Sequence, residues 1–421
     1  MKYNSIFGIL FILVILSTCA KKDPTSLCID RPLDSDGFEL VYKKDLSSYI
    51  QYINPLRAPK LLFYKNYLIH IPEQFPGNEG FQVFDQSTGE VVFSESKEQL
   101  SIFGDSYIYN GKLYYPLKWW NDKPLVNTLD LNTLEQDSVL KNEFGRYHFI
   151  FFPIKTNNPY FLTQNEYNLN NPRRYDNQFS LLDLDKKRTI CTFKDTTMYP
   201  DALLFFVVWG NHNQQKITYL LQGKYIDPNN TGRVISYLIT RDINSGNLES
   251  ETPFESISIY PDFLDIKDNI MYIANYYRGA AYDLIKREFK WYHPRPFAVY
   301  RETQVGVTSN QVFRCTYYSQ INEAFDIETG KSQPYFDEYM KLAGSNNETP
   351  LAFVGETSNM TLFETFYNEK FHLVGLEKFS GCPLILNGSY PVNHIEGAKY
   401  DPNTKRLFMI AEKQLYCFKI K

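Results

Sequence analysis

The sequence predicts an all-β chain folded as a β-propeller of seven or eight blades, its ring closed by an N-terminal strand. Three observations predict it. In Phe81–Phe93, Phe81 and Val83, then Val91 and Phe93, alternate with polar residues, the period of strands with one buried face. The intervening Asp85-Gln-Ser-Thr-Gly89 is a turn, because Asp bonds the backbone two residues on and Gly accepts φ > 0. The unit recurs: turn-entry Asp residues stand at 85, 130, 183, 242, 283 and 326, spaced 45, 53, 59, 41 and 43 residues apart. Propeller blades repeat every ~40–50 residues and tolerate loop insertions. The composition agrees: 33 Tyr and 32 Phe in 421 residues suit strands better than helices.

The chain opens with Lys2 and the apolar run Ile6–Leu16. Eleven residues are too few to cross a bilayer, which takes roughly 20 in a helix, so residues 1–18 read as a secretory signal. Leu16-Ser17-Thr18-Cys19 resembles the lipobox of bacterial lipoproteins. That resemblance implies a lipidated Cys19, a membrane partner through the anchor, and a cell-envelope protein of the outer membrane, facing the periplasm or the cell surface. Residues 19–36 form a polar tether with Lys21, Lys22, Pro24 and Pro32; residues 37–421 form the propeller.

Phe38–Tyr42 stands alone as a strand. Six units follow: Leu61–Ile71 with Phe81–Asp85 and Val91–Phe93; Tyr107–Leu117 with Val126–Asp130; Pro159–Thr163 with Phe179–Asp183; Lys216–Leu221 with Val234–Asp242; Asn269–Ala274 with Ala280–Asp283; Gln311–Tyr318 with Glu323–Asp326. Tyr335–Leu342 reads as a short helical insert. A weaker seventh unit spans Met360–Phe366, Phe371–Leu376 and Pro383–Leu386. The eighth (Ala398–Tyr400, Arg406–Ala411, Gln414–Ile420) ends one strand short, and Phe38–Tyr42 is the strand available to complete it. Closure removes unpaired edges that would invite aggregation. A pair of β-sandwich domains is the competing fold, but the near-constant turn period favours the ring.

Phe84-Asp85 with Thr88-Gly89, and Phe325-Asp326 with Thr329-Gly330-Lys331, look like repeats of the quinoprotein-like and YVTN-like propellers. A lipobox followed by such an array is similar to the β-propeller lipoproteins of the Bacteroidetes. The resemblance spans roughly residues 36–421 and implies fold and compartment rather than chemistry. Phe93 stands where a quinoprotein repeat carries Trp, so no quinone or other cofactor is expected.

A net charge of -4 supplies no basic excess for a phosphate backbone, which excludes a nucleic-acid partner. Cys28, Cys191, Cys315, Cys382 and Cys417 show no zinc spacing and read as small hydrophobes. Six His, at 70, 148, 212, 293, 372 and 394, also lack metal spacing, and Asp227-Pro-Asn-Asn-Thr-Gly232 lacks the ligands of a calcium loop. No metal is expected.

The Asp turns gather on one face of the ring and longer loops on the other. The loop face is expected to carry Trp119, Trp120, Arg173, Arg174, Tyr175, Tyr276, Tyr277 and Arg278, with Arg146 and Arg295 from connections between blades. Aromatic faces beside Arg donors suit a glycan, a peptide or an envelope protein, and a binding or scaffolding module is the leading reading. The alternative is a surface hydrolase, lactonase or lyase acting on sugars, with His148 and His293 as acid and base.

Overall fold

The computed structural model describes residues 34–35, 38–49, 60–72, 80–95, 106–116, 126–140, 149–151, 153–156, 160–164, 178–183, 185–194, 203–211, 214–223, 235–255, 264–273, 277–294, 303–316, 323–333, 351–367, 370–378, 383–391 and 395–420. Within these residues every regular element is a strand, and the strands form eight sheets of four or five. The first sheet runs Lys60–Tyr64, Tyr67–Ile71, Phe81–Asp85, Val91–Glu95, each antiparallel to the last. Leading strands of successive sheets approach one another: Leu264–Lys267 meets Thr303–Val307, which meets Leu351–Glu356, which meets Ile395–Asp401. They are the innermost strands.

Each apolar cluster joins two neighbouring sheets, because alternation gives every strand two faces and both are covered. Ile69 and Val83 of the first sheet pack with Leu113 and Leu129 of the second. Leu181 meets Tyr219, Leu238 meets Met271, Tyr272 meets Val312, and Phe313 meets Phe363 at 5.0 Å between ring centroids. The circle is complete where Leu68 and Phe84 of the first sheet bury against Phe408 and Leu415 of the eighth. A fully buried Val, Leu, Ile or Phe contributes about 1.5–3 kcal/mol, so these seams between sheets carry most of the stability.

The Asp turns show why the repeat is so regular. Asp85 accepts the backbone N–H groups of Ser87 (2.8 Å) and Thr88 (3.1 Å); Asp242 and Asp326 repeat this. The hydroxyls of Ser87 and Thr329 at Asp85 and Asp326, and backbone N–H groups at Asp130 and Asp242, hold these carboxyls below the usual carboxylate range. The fourth residue after Asp has positive φ in six turns: Gly89, Leu134, Lys187, Gly246, Arg287 and Gly330. The residue immediately after Asp is a node. Its N–H donates to the turn of its own sheet's inner hairpin, as from Gln86 to Asn66 O (2.8 Å), Ile243 to Gln215 O (2.7 Å) and Ile327 to Asn310 O (3.0 Å). Its carbonyl accepts from the preceding sheet: Tyr42 Oη to Gln86 O (3.2 Å), Cys191 Sγ to Ile243 O (3.4 Å), Trp291 Nε1 to Ile327 O (3.1 Å).

Two segments are shared between sheets. Phe38–Asp45 pairs antiparallel with Gln414–Ile420 as the outer strand of the eighth sheet. Just before it, Asp34–Ser35 pairs parallel with Pro383–Pro391 at the outer edge of the seventh. The second shared segment is central. Phe149–Phe151 is the inner strand of the third sheet, and Pro153–Thr156 then runs parallel to Leu203–Asn211 on the inner edge of the fourth.

Several expectations need correction. Leu61–Ile71 and Tyr107–Leu117 are not single strands; each is an inner hairpin, reversed at Lys65 (φ 51°) and at Asn110-Gly111 (φ 48° and 75°). Inner strands at Phe149–Phe151, Leu203–Asn211, Leu264–Lys267, Thr303–Val307 and Leu351–Glu356 complete units three to seven. Trp is absent from the post-turn position of the first unit but present in the fifth, where Trp291 stands four residues beyond Arg287. The proposed helix at 335–342 and the Asp227–Gly232 turn lie outside the described residues.

Candidate functional site

Antiparallel order puts the links between second and third strands on the face opposite the Asp turns. Nearly all the expected site residues fall on stretches outside the described ones: Cys19, Trp119, Trp120, Arg146, His148, Arg173, Arg174, Tyr175, Tyr276 and Arg295. Tyr277 and Arg278 open the strand Tyr277–Asp283 at its loop-bearing end. Tyr277 pairs with Pro294, so the backbone leading to Arg295 runs beside it.

His293 is placed in detail. It sits on Glu288–Pro294, the outer strand of the fifth sheet, its ring stacked on Phe325 at 5.6 Å and 19°. Its Nε2 lies 2.6 Å from Gly330 O in the next Asp turn. An imidazole held there spans a seam between sheets, far from the axis.

Below the loop face, polar side chains are buried near the ends of second and third strands. Arg314 donates to Glu323 Oε2 at 2.7 Å, with both residues buried, across the mouth of the link 317–322. Arg314 Nε has no hydrogen-bond partner. His70 is fully buried, its Nδ1 2.9 Å from Gln82 Oε1, at the base of the link 73–79. Burial pushes its pKa down to about 4, so the imidazole is neutral at pH 7. Glu364 is buried between the seventh and eighth sheets; Ala398 N–H bonds its carboxyl, while Oε2 has no partner. Burial pushes its pKa up to about 8, so it holds its proton. Between the first and second sheets, exposed Gln136 on the outer strand donates through Nε2 to Glu95 Oε2 (2.6 Å) and to Tyr115 Oη (2.8 Å).

Sequence reasoning passed over Arg314, Glu323, Glu364 and His70, although a signal exists. Val-Phe-Arg314-Cys and Leu-Phe-Glu364-Thr place a lone charge inside an apolar strand, which requires burial with a partner or a shifted pKa. Apart from the Arg314–Glu323 pair, these groups lie in different sheets and do not converge. They fix strand ends under the loops and form no acid–base pair. Among the described residues no group of three or more His, Cys, Asp or Glu could hold a metal ion. Nor does any helix there have the length and apolarity to cross a membrane.

Radial order, inner leading strands and a continuous circuit of seams decide the architecture. The chain is a β-propeller. No protein-family model matches it, and no curated protein matches it. Solved structures do. A chain of the dihydro-heme d1 dehydrogenase NirN, in complex with DHE, superposes with a TM-score of 0.52 at 10% identity, covering 86% of this chain and 69% of that one. A chain of the mitotic checkpoint complex gives a TM-score of 0.44 at 9% identity, over 93% and 94% of the two chains. The NirN likeness extends to fold and no further.

Proposed function

We propose that the protein is an outer-membrane lipoprotein, anchored through Cys19, whose propeller acts as a binding or scaffolding module for a glycan, peptide or envelope protein. The single observation that carries this reading is the asymmetry of the two faces. On one, backbone nodes and ion pairs such as Lys290–Glu328 (2.6 Å) and Lys187–Asp137 (3.0 Å) occupy the turns. For the other, the sequence supplies longer links between second and third strands, and Trp119, Trp120, Arg173, Arg174 and Tyr175 belong to them. Loops on a rigid scaffold are where recognition concentrates.

A surface enzyme acting on sugars needs His148 and His293 together near the axis. The bond from His293 to Gly330 O speaks against that arrangement. The test is capture on an array of glycans and envelope proteins, comparing wild type with the double variant Trp119→Ala/Trp120→Ala. Loss of a captured ligand in the double variant supports the reading; equal retention by both overturns the proposed face.

A further inference from the structure

Five outer strands carry a bulge at the same register, one extra residue opposite the third strand, and its occupants divide. Glu249 in the fourth sheet pairs with Lys216 and Arg287; Lys290 in the fifth pairs with Glu328. Ile190 in the third packs partly buried against its seam. In the eighth and first sheets the bulge residues are Val41 and Val92, 42% and 38% exposed. Leu40 and Val91, immediately before them, are 37% and 38% exposed. The two sheets are neighbours, since Tyr42 lies on Gly89 and Lys44 pairs with Glu90. A bulge is where an outer strand turns a side chain outward, and here alone two adjacent sheets among the described residues present exposed apolar pairs at it. Exposed Lys43 follows on the same outer strand, its Nζ 4.9 Å from the Tyr416 ring.

This rim is also where the N-terminal arm meets the body. Fourteen residues separate Cys19 from Asp34, which span at most about 50 Å fully extended. The arm joins the outer edges of the seventh and eighth sheets rather than either face of the ring. Accepting the lipid anchor proposed above, we infer that the rim formed by Leu40, Val41, Val91 and Val92 lies against the bilayer. The ring then stands edge-on to the membrane, with both faces turned sideways. Valine and leucine side chains meet the acyl boundary and Lys43 meets anionic headgroups. Among the described residues the remaining exposed large hydrophobics, Leu248, Ile285 and Tyr292, belong to the fourth and fifth sheets, half a ring away, and provide an internal control.

The test uses the full lipidated chain in phosphatidylethanolamine–phosphatidylglycerol vesicles, with Cys28→Ser and Cys382→Ser as background. A polarity-sensitive dye is attached at Val92→Cys or at Ile285→Cys. The expected result is a blue shift and about a two-fold rise in emission at 92 on adding vesicles, and no change at 285. Adding Leu40→Ser/Val41→Ser should abolish the response at 92 while the far-ultraviolet dichroism is unchanged. Protein that floats with the vesicles yet leaves both dyes silent, or responds equally at both, overturns the edge-on placement and leaves the anchor standing. Protein that carries no lipid and fails to float overturns both.

Discussion

Trp291 lies flat on Gly330 of the next sheet, so close that a Cβ on the glycine would fall inside the indole. The indole N–H simultaneously donates to Ile327 O at 3.1 Å. Tyr42 on Gly89 and Cys191 beside Gly246 repeat the arrangement with a phenol and a thiol. Three unrelated donors thus serve one geometric task, docking an outer strand onto the following turn.

The pair sets a clear expectation. Gly330→Ala must place a Cβ at φ 68° and push the indole away, costing about 2–4 kcal/mol. Urea titration followed by Trp fluorescence should show a lowered midpoint. In Trp291→Ala the same glycine substitution should cost only the strain of positive φ, about 1 kcal/mol. Equal costs in both backgrounds would show that the clash is not the cause.

A second expectation concerns closure. Removing residues 34–45 strips the partner from Gln414–Ile420 and uncovers Phe408, Leu415 and Cys417. Exposed edges of this kind recruit other chains. Size-exclusion chromatography should show loss of monomer. The milder Tyr42→Phe keeps the ring on Gly89 and loses the hydroxyl's bonds to Gln86 O and to the Cys417 thiol, about 0.5–1.5 kcal/mol each, with the monomer retained.

Glu364 gives a prediction with an unusual sign. Its folded pKa, about 8, lies above its ordinary 4.5, so the folded state keeps a proton that the unfolded state releases. Stability from this group is full below pH 4.5 and falls as pH rises toward 8. Glu364→Gln removes the titration, so its melting temperature should exceed that of wild type most at pH 8–9 and least near pH 5. A constant difference across that range would contradict the buried protonated carboxyl.

His70 governs the acid side. Its pKa is about 4 folded against 6.5 ordinarily, so as pH falls from 6.5 to 4 the unfolded state takes up a proton that the folded state refuses. Stability declines through that window, by roughly 3 kcal/mol at most. The turn-entry carboxyls, depressed below 3.8, add a further loss only as pH drops below that value. Melting temperatures of wild type and His70→Gln should converge between pH 6.5 and 4. Parallel curves would mean the imidazole is not excluded from water.

Much of this architecture is legible in the chain because the Asp turn has a local cause: Asp85 and Asp326 bond backbone N–H groups two and three residues on. Such a motif needs no tertiary partner to be read. The inner strands escaped because Leu264–Lys267 and Leu351–Glu356 do not lead into an Asp-x-x-Thr-Gly turn. The first inner hairpin escaped because Lys65 carries positive φ without being glycine. At the site, Trp119 and its companions were legible only as residue types on links. The buried charges went unread because partnership across a seam, as between Glu364 and Ala398, depends on which sheets become neighbours.

Asp45 and Gln414 touch across 369 residues of chain. At synthesis rates of ~5–20 residues per second, the first strand made waits roughly 20–70 seconds before its partner exists. Through that interval the outer strand of the eighth sheet has nothing to pair with, and the bulge valines beside it are uncovered. The clasp therefore depends on completeness: a product that lacks Gln414–Ile420 has no partner for Phe38–Asp45 and cannot shut its circle.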